Sequence, residues 1–293
     1  MDLYEIQVSN PDLFQQFSLK DTLFLHYSCP QREKVLQLYS KYIQFNFTLS
    51  GKRILKQGNQ KWEATPENGL IVKKCAFMQE LPDDYEGWDV LIFYLRDNYL
   101  RSLFEEFRPH LSLTDLPEPK KIQFEHFAID ENIKNGYQSF IPYILENKSL
   151  PDSVFENKFK ELLFNILSHP DNKHILAYVQ KITDRYETAI WEVMEANYMY
   201  NLKIRDYANI ANRSLSTFKR EFKKHYKTSP GKWLTERRLK RAKSMLQSGK
   251  KSISEVAFDC GFKNSSHFSR VFKEKFSTSP SDYQKKWANK KRN

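Results

Sequence analysis

The chain has 293 residues, 47 of them Lys or Arg and 36 Asp or Glu, a net charge of +11, and its aromatic share of 15% excludes a disordered or collagen-like polymer. Residues 1–185 hold 22 Lys/Arg against 26 Asp/Glu, whereas residues 186–293 hold 25 against 10. The positive excess therefore lies entirely in the C-terminal part, which predicts an electrostatic partner there, nucleic acid ahead of an anionic membrane.

A membrane partner is not expected: apolar runs such as residues 90–94 fall well short of the roughly 18 residues a spanning helix needs. The opening MDLYEIQVSN has neither the basic nor the apolar segment of a signal peptide, so the expected location is cytoplasmic. Cys29, Cys75 and Cys260 form no close pair and read as reduced core residues.

From residue 23 to 95 the pattern is that of strands. Ile43, Phe45, Phe47 and Leu49 alternate with Gln44, Asn46 and Thr48, which predicts a strand with one buried and one wet face, ending in a turn at Ser50 and Gly51. Pro66 and Gly69 predict a turn, with Gly69 permitting positive φ, before a strand over residues 70–72, and residues 88–95 (WDVLIFYL) read as another. Several short strands suggest a small barrel or sandwich, with Phe45, Phe47, Trp62, Phe77, Trp88 and Phe93 in its core. Pro109, Pro117 and Pro119 then mark a loop. Residues 153–167 place Phe155, Phe159, Leu162, Leu163 and Ile166 on one helical stripe, capped by Ser153, suited to packing on the barrel and on a second copy. A short helix and a connection fill residues 169–186, with a linker at 183–187.

The strongest signal is a repeat. Phe218, Arg220, Phe222, Lys223, Thr228, Ser229 and Pro230 recur fifty places later as Phe268, Arg270, Phe272, Lys273, Thr278, Ser279 and Pro280. Each copy follows a short apolar helix and a break. In the second, Ser252 and Glu255 form a capping box and Gly261 suits a left-handed helix end; in the first, the turn passes through Asn212 and Arg213, and Ser214 caps the next helix. The second turn is one residue longer. Phe218, Phe222, Phe268, Val271 and Phe272 form the inward stripes. The free faces carry Ser216, Thr217, Lys219, Arg220 and Lys223 in one copy and Ser266, His267, Ser269, Arg270 and Lys273 in the other, with Ser214 and Ser265 at the helix starts. Such donors and cations suit a major groove, as in the second helix of a helix-turn-helix. Between the copies, Ser229 and Pro230 open a helix that closes before Gly249. Trp233, Leu234, Ala242, Met245 and Leu246 point inward there, while Lys232, Arg237, Arg238, Lys240, Arg241 and Lys243 form a charged face. Such a connector could set both reading helices in successive major grooves, about 34 Å apart. Residues 285–293 read as a frayed basic tail.

The segments ISEVAFDCGFKNSSHFSRVFKEKF and TSPSDY, preceded by RSLSTFKREFKKHY and TSPGKWLTERRLKRAKSML, resemble the AraC/XylS family of bacterial transcription regulators over residues 187–287. Lys227 and Ser277 stand where that family usually has Gly, and Gln284 where it often has Arg. The resemblance implies that Ser216, Thr217, Lys219, Arg220, Ser266, His267, Ser269 and Arg270 read double-stranded promoter DNA. It also implies two adjacent half-boxes and RNA polymerase as a partner. The expected architecture is α+β in two domains: a cupin-like β-barrel with flanking helices over residues 1–182, and an all-α tandem helix-turn-helix domain over 187–293. The first would dimerise through its helices and take a small-molecule or protein effector.

No catalytic residue, metal or cofactor is expected: His26, His110, His126, His169 and His174 include no H-x-H pair, and there is no phosphate loop, nucleophile elbow or CxxC. The expected function is a transcription activator. The alternatives are a DNA-architectural protein, which has no need of distinct outward residues on two readers, and a barrel enzyme localised on DNA, which would need a bound metal.

Overall fold

The structure, a computed structural model, describes residues 2–19, 22–28, 34–83, 87–145, 151–183 and 190–290. The chain forms two compact units, residues 1–187 and 188–293. The boundary and most of the expected linker lie outside the described residues, as does Cys29; Cys75 and Cys260 are free and buried.

In the first unit, α1 (Leu3–Val8) precedes β1 (Gln15–Leu19), β2 (Thr22–Ser28), β3 (Val35–Ser40), β4 (Ile43–Gly51), β5 (Arg53–Gln57), β6 (Gln60–Ala64), β7 (Asn68–Val72), β8 (Cys75–Glu80) and β9 (Trp88–Leu95). There follow α2 (Asp97–Phe107), β10 (Phe124–Ala128), α3 (Glu131–Gln138), α4 (Ile141–Leu145), α5 (Asp152–Ser168) and α6 (Lys173–Thr183). The strands make two antiparallel sheets, in the orders β1-β2-β9-β4-β7-β10 and β3-β8-β5-β6, so the expected barrel is a pair of sheets without closure.

The six-stranded sheet is covered on both faces. Phe24, Phe45, Phe47, Ile71, Leu91 and Phe93 meet the helices, while Leu25, Leu70, Val72, Val90, Ile92 and Phe124 meet Leu38, Leu55 and Phe77 of the other sheet. That is why β9 is a continuous apolar run. It also corrects the wet face expected for β4. Gln44, Asn46 and Thr48 are buried, Gln44 donating to Ser40 Oγ at 2.6 Å and Thr48 Oγ1 accepting from the Trp88 indole at 3.1 Å, because a second sheet lies where water was expected. Gly69 is not at positive φ. A Cβ there would lie 2.0 Å from the Phe127 ring, so close approach explains the glycine. Gly51 does take φ +71°, and a Cβ there would stand 2.1 Å from the Gly87 carbonyl oxygen.

Phe155, Phe159, Leu162, Leu163 and Ile166 of α5 are all buried against this sheet, with Phe155 and Phe159 edge-on to Phe24 at 4.8 and 5.1 Å. The stripe is used up inside the unit and offers nothing to a second copy. Ser153 lies within the helix, which opens after Pro151. A buried ion pair, Lys73 with Glu125, joins the end of β7 to β10, and the Lys73 amine lies 4.1 Å from the centre of the Tyr178 ring on α6.

The second unit is helical: α7 (Ile190–Asn197), α8 (Ile204–Ile210), α9 (Leu215–Tyr226), α10 (Pro230–Ser248), α11 (Ile253–Asp259), α12 (Ser265–Phe276) and α13 (Pro280–Lys290). The segment expected to be a frayed tail continues α13 as far as Lys290, and Trp287 lies 6.4 Å from the Tyr283 ring. No described helix is long and apolar enough to cross a membrane.

Candidate nucleic-acid interface

Each copy of the repeat closes its own core. Ala208 of α8, Phe218 and Phe222 of α9 and Leu234 of α10 pack with Val193 and Met194 of α7. Ala257 of α11 and Phe268 and Phe272 of α12 pack with Leu239, Ala242 and Leu246 of α10. Both turns use the same backbone closure: the Arg213 N–H donates to the Ala208 carbonyl at 2.9 Å, and the Phe262 N–H to the Ala257 carbonyl at 3.0 Å. The left-handed residue is Gly261 (φ +82°) in the second turn and Asn212 (φ +54°) in the first, asparagine being among the few side chains that tolerate this region. Arg213 braces the turn that lacks glycine, its guanidinium donating to the Ala211 carbonyl at 3.1 Å and pairing with Glu221 at 3.3 Å. Sequence reasoning missed that brace, since a turn arginine carries no mark of its partner.

Ser214 caps α9, its Oγ accepting from the Thr217 N–H at 3.2 Å. The cap of α12 is Asn264, accepting from the His267 N–H at 2.8 Å, which places Ser265 in the first helical position. The capping box of Ser252 and Glu255 is present, and hydrogen bonding from the Ser252 side chain and then from its N–H holds the Glu255 carboxyl below the usual range.

Along α9 the structure exposes Ser216, Lys219, Arg220 and Lys223 with Ser214 beside them; Thr217 is half-buried, its hydroxyl 2.9 Å from Ser214 Oγ. Along α12 it exposes Ser266, His267, Arg270 and Lys273, with Ser265 and Ser269 half-buried. Arg270 is held 3.3 Å from Glu274, one turn on, whereas Lys219, Arg220 and Lys223 enter no ion pair among the described residues. Each copy thus presents a row of donors opposite its phenylalanines, with the partial positive charge of a helix start at one end.

The connector departs from the expected charged face. Lys240 and Arg241 are exposed, Arg237 pairs with Glu195 at 2.9 Å, and Lys243 sits 4.9 Å from the Phe276 ring centre. Arg238 is buried, donating to the carbonyls of Tyr198 and Tyr200 at 2.7 and 2.6 Å. Burial raises the nearby Tyr207 hydroxyl to about 12, against the opposing pull of Arg238, and the Cys260 thiol to about 12, which keeps that thiol unreactive. No group of three His, Cys, Asp or Glu side chains able to hold a metal occurs among the described residues.

Comparison with known proteins matches residues 207–286 to a helix-turn-helix domain family and residues 44–178 to the ExsA N-terminal regulatory domain family. The chain is 26% identical over 240 residues to the thermoregulatory protein LcrF of Yersinia pestis, covering 79% of this chain and 87% of that one. It is 28% identical over 124 residues to the HTH-type transcriptional regulator ExsA of Pseudomonas aeruginosa, covering 42% of this chain and 45% of that one. A solved structure of apo ToxT from Vibrio cholerae has a TM-score of 0.42 at 16% identity, over 90% of this chain and 97% of that one. With an N-terminal regulatory region and two helix-turn-helix copies on one chain, the protein belongs to the AraC/XylS family of bacterial transcription regulators.

Proposed function

We propose that this chain is a cytoplasmic, sequence-specific transcription activator without catalytic activity, which inserts α9 and α12 into adjacent major grooves of promoter DNA. The observation that carries the proposal is the matched pair of helices, each anchored by two buried phenylalanines and each showing cations on its outer face. Arg220 and Arg270 are the assigned base readers, with Lys219, Lys223 and Lys273 on phosphate. Ser214, Ser216, Thr217, Ser265, Ser266, His267 and Ser269 lie near the helix starts, where a groove-bound helix meets base edges. Phosphate contacts fix the register and base contacts supply sequence preference.

The first unit is assigned regulation, by a small molecule or a protein, and dimerisation through its helices. Since the apolar side of α5 is spent on its own sheet, a dimer would have to use outward positions such as Val154. Activation would require contact with RNA polymerase.

Selection of bound sequences from a random DNA library at near-physiological salt, followed by footprinting, tests the reading. Two short boxes about 34 Å apart are expected. Affinity should fall with salt by about 0.9 log units per log unit for each neutralised phosphate. Tight low-salt binding with no enriched sequence would favour an architectural protein instead.

A further inference from the structure

The two helix-turn-helix cores are separate, yet one side chain reaches the junction between them. Connector α10 changes partner midway: Leu234 belongs to the first core and Leu239, Ala242 and Leu246 to the second. Arg238 stands at the change and is 9% exposed. The carbonyls it grips belong to Tyr198 and Tyr200, in the segment leading from α7 to α8, both helices of the first core. The same segment lies against the second turn, where a Cβ on Gly261 would stand 2.7 Å from the Met199 carbonyl oxygen and 3.0 Å from Arg238 Nε. Residues 198–200 thus touch both an arginine of the connector and a glycine of the second helix-turn-helix.

We infer that Arg238 is a positioning residue for DNA reading: its grip on residues 198–200, with Gly261 packed closely beside it, sets the offset between α9 and α12 and hence the box spacing the protein accepts. A guanidinium is planar, permanently charged and presents its N–H groups in a rigid fork, so two bonded carbonyls fix its plane. Apolar contact alone is non-directional and resists sliding less well. Burying such a charge is costly, and an aliphatic residue would close either core more simply. The arginine adds a directional attachment to a third element. Neighbouring bonds stiffen that element: the Tyr207 hydroxyl donates to the Asn197 carbonyl at 3.0 Å, and Arg237 pairs with Glu195 on α7. Two linked readers gain affinity over one only when their geometry lets both engage at once.

The inference rests on the two-box reading proposed above. The test uses the full-length protein and three DNA fragments: the selected two-box sequence, the same with one base pair inserted between the boxes, and the same with the second box scrambled. The insertion moves the second box by about 3.4 Å. The parent protein is expected to bind the selected fragment at least ~10-fold tighter than the inserted one. Arg238→Met should lower that ratio below ~3-fold while its affinity for the one-box fragment stays within ~2-fold of the parent's. Gly261→Ala, whose Cβ would press on the Met199 carbonyl and on Arg238 Nε together, should act in the same direction. Arg238→Lys, with its charge kept but its fork lost, should fall between. A parental spacing ratio in Arg238→Met overturns the inference, and so does loss of one-box binding by both Arg238→Met and Gly261→Ala, which would make the junction a requirement of folding. If only Arg238→Met loses one-box binding, the ratio for Gly261→Ala decides. A parent protein indifferent to spacing would instead refute the two-box reading itself.

Discussion

Both reading helices end on a residue in the left-handed region that is not glycine: Lys227 at φ +54° and Ser277 at φ +56°. Each directs its own N–H to the carbonyl four residues back, Lys223 or Lys273, at 2.9 Å. Both side chains are exposed, so truncation removes little packing. A side chain in this region costs about 1–2 kcal/mol, and the extra freedom of glycine in the unfolded chain returns about 0.5–1 kcal/mol. Lys227→Gly and Ser277→Gly should therefore each stabilise their own helix-turn-helix core by about 0.5–1 kcal/mol. Gly249, at φ +69°, is the same experiment reversed: a Cβ there meets nothing within 4 Å, so Gly249→Ala carries the conformational penalty alone and should destabilise. Because the chain has two units and does not qualify for one global transition, native-state hydrogen exchange is the fitting assay. With 1.4 kcal/mol worth tenfold, amides of α9 should exchange about two- to fivefold more slowly in Lys227→Gly, and those of α12 likewise in Ser277→Gly. Unchanged or faster exchange in both variants would refute the strain argument, and slowed exchange in α9 on changing Ser277 would refute the independence of the cores.

Three further outcomes are expected. Arg220→Ala and Arg270→Ala should each weaken binding to the selected DNA by about 1–3 kcal/mol in titrations at fixed salt; parental affinity in both would remove them as base readers. Glu125→Leu strands the Lys73 ammonium in the core and should cost about 3–5 kcal/mol, whereas the double variant Lys73→Met with Glu125→Leu should unfold near the parental denaturant midpoint. The lowered Glu255 carboxyl makes the α11 cap a contribution that is complete above the usual carboxylate range and lost as pH falls through the depressed value. Protection of α11 amides, taken relative to an unstructured chain at the same pH, should therefore fall in acid in the parent and lose that dependence in Glu255→Gln; an acid profile of protection unchanged by the substitution would exclude the cap as its cause.

Local chemistry was readable wherever it is self-contained. The capping box of Ser252 and Glu255, the cap at Ser214, the left-handed Gly261 and the phenylalanine spacing each involve residues close along the chain, and all appear as expected. Partners distant in sequence were not readable. Arg238 lies in a run of cations on α10, and its burial depends on two carbonyls 40 and 38 residues away. Gln44, Asn46 and Thr48 alternate as a wet face would, yet a second sheet covers them. Gly69 was read for its backbone freedom when the reason was the ring of Phe127. The outward rows of α9 and α12 follow from helical period alone, which is why the proposed interface was visible before its neighbours were.

The division of the second unit into two cores also bears on how its targets change over generations. No core phenylalanine is shared between α9 and α12. An outward residue on one helix can therefore be exchanged without repacking beneath the other, and effects at such separated places add. A regulator so built can acquire a new half-target one mutation at a time while its hold on the other half keeps the gene under control.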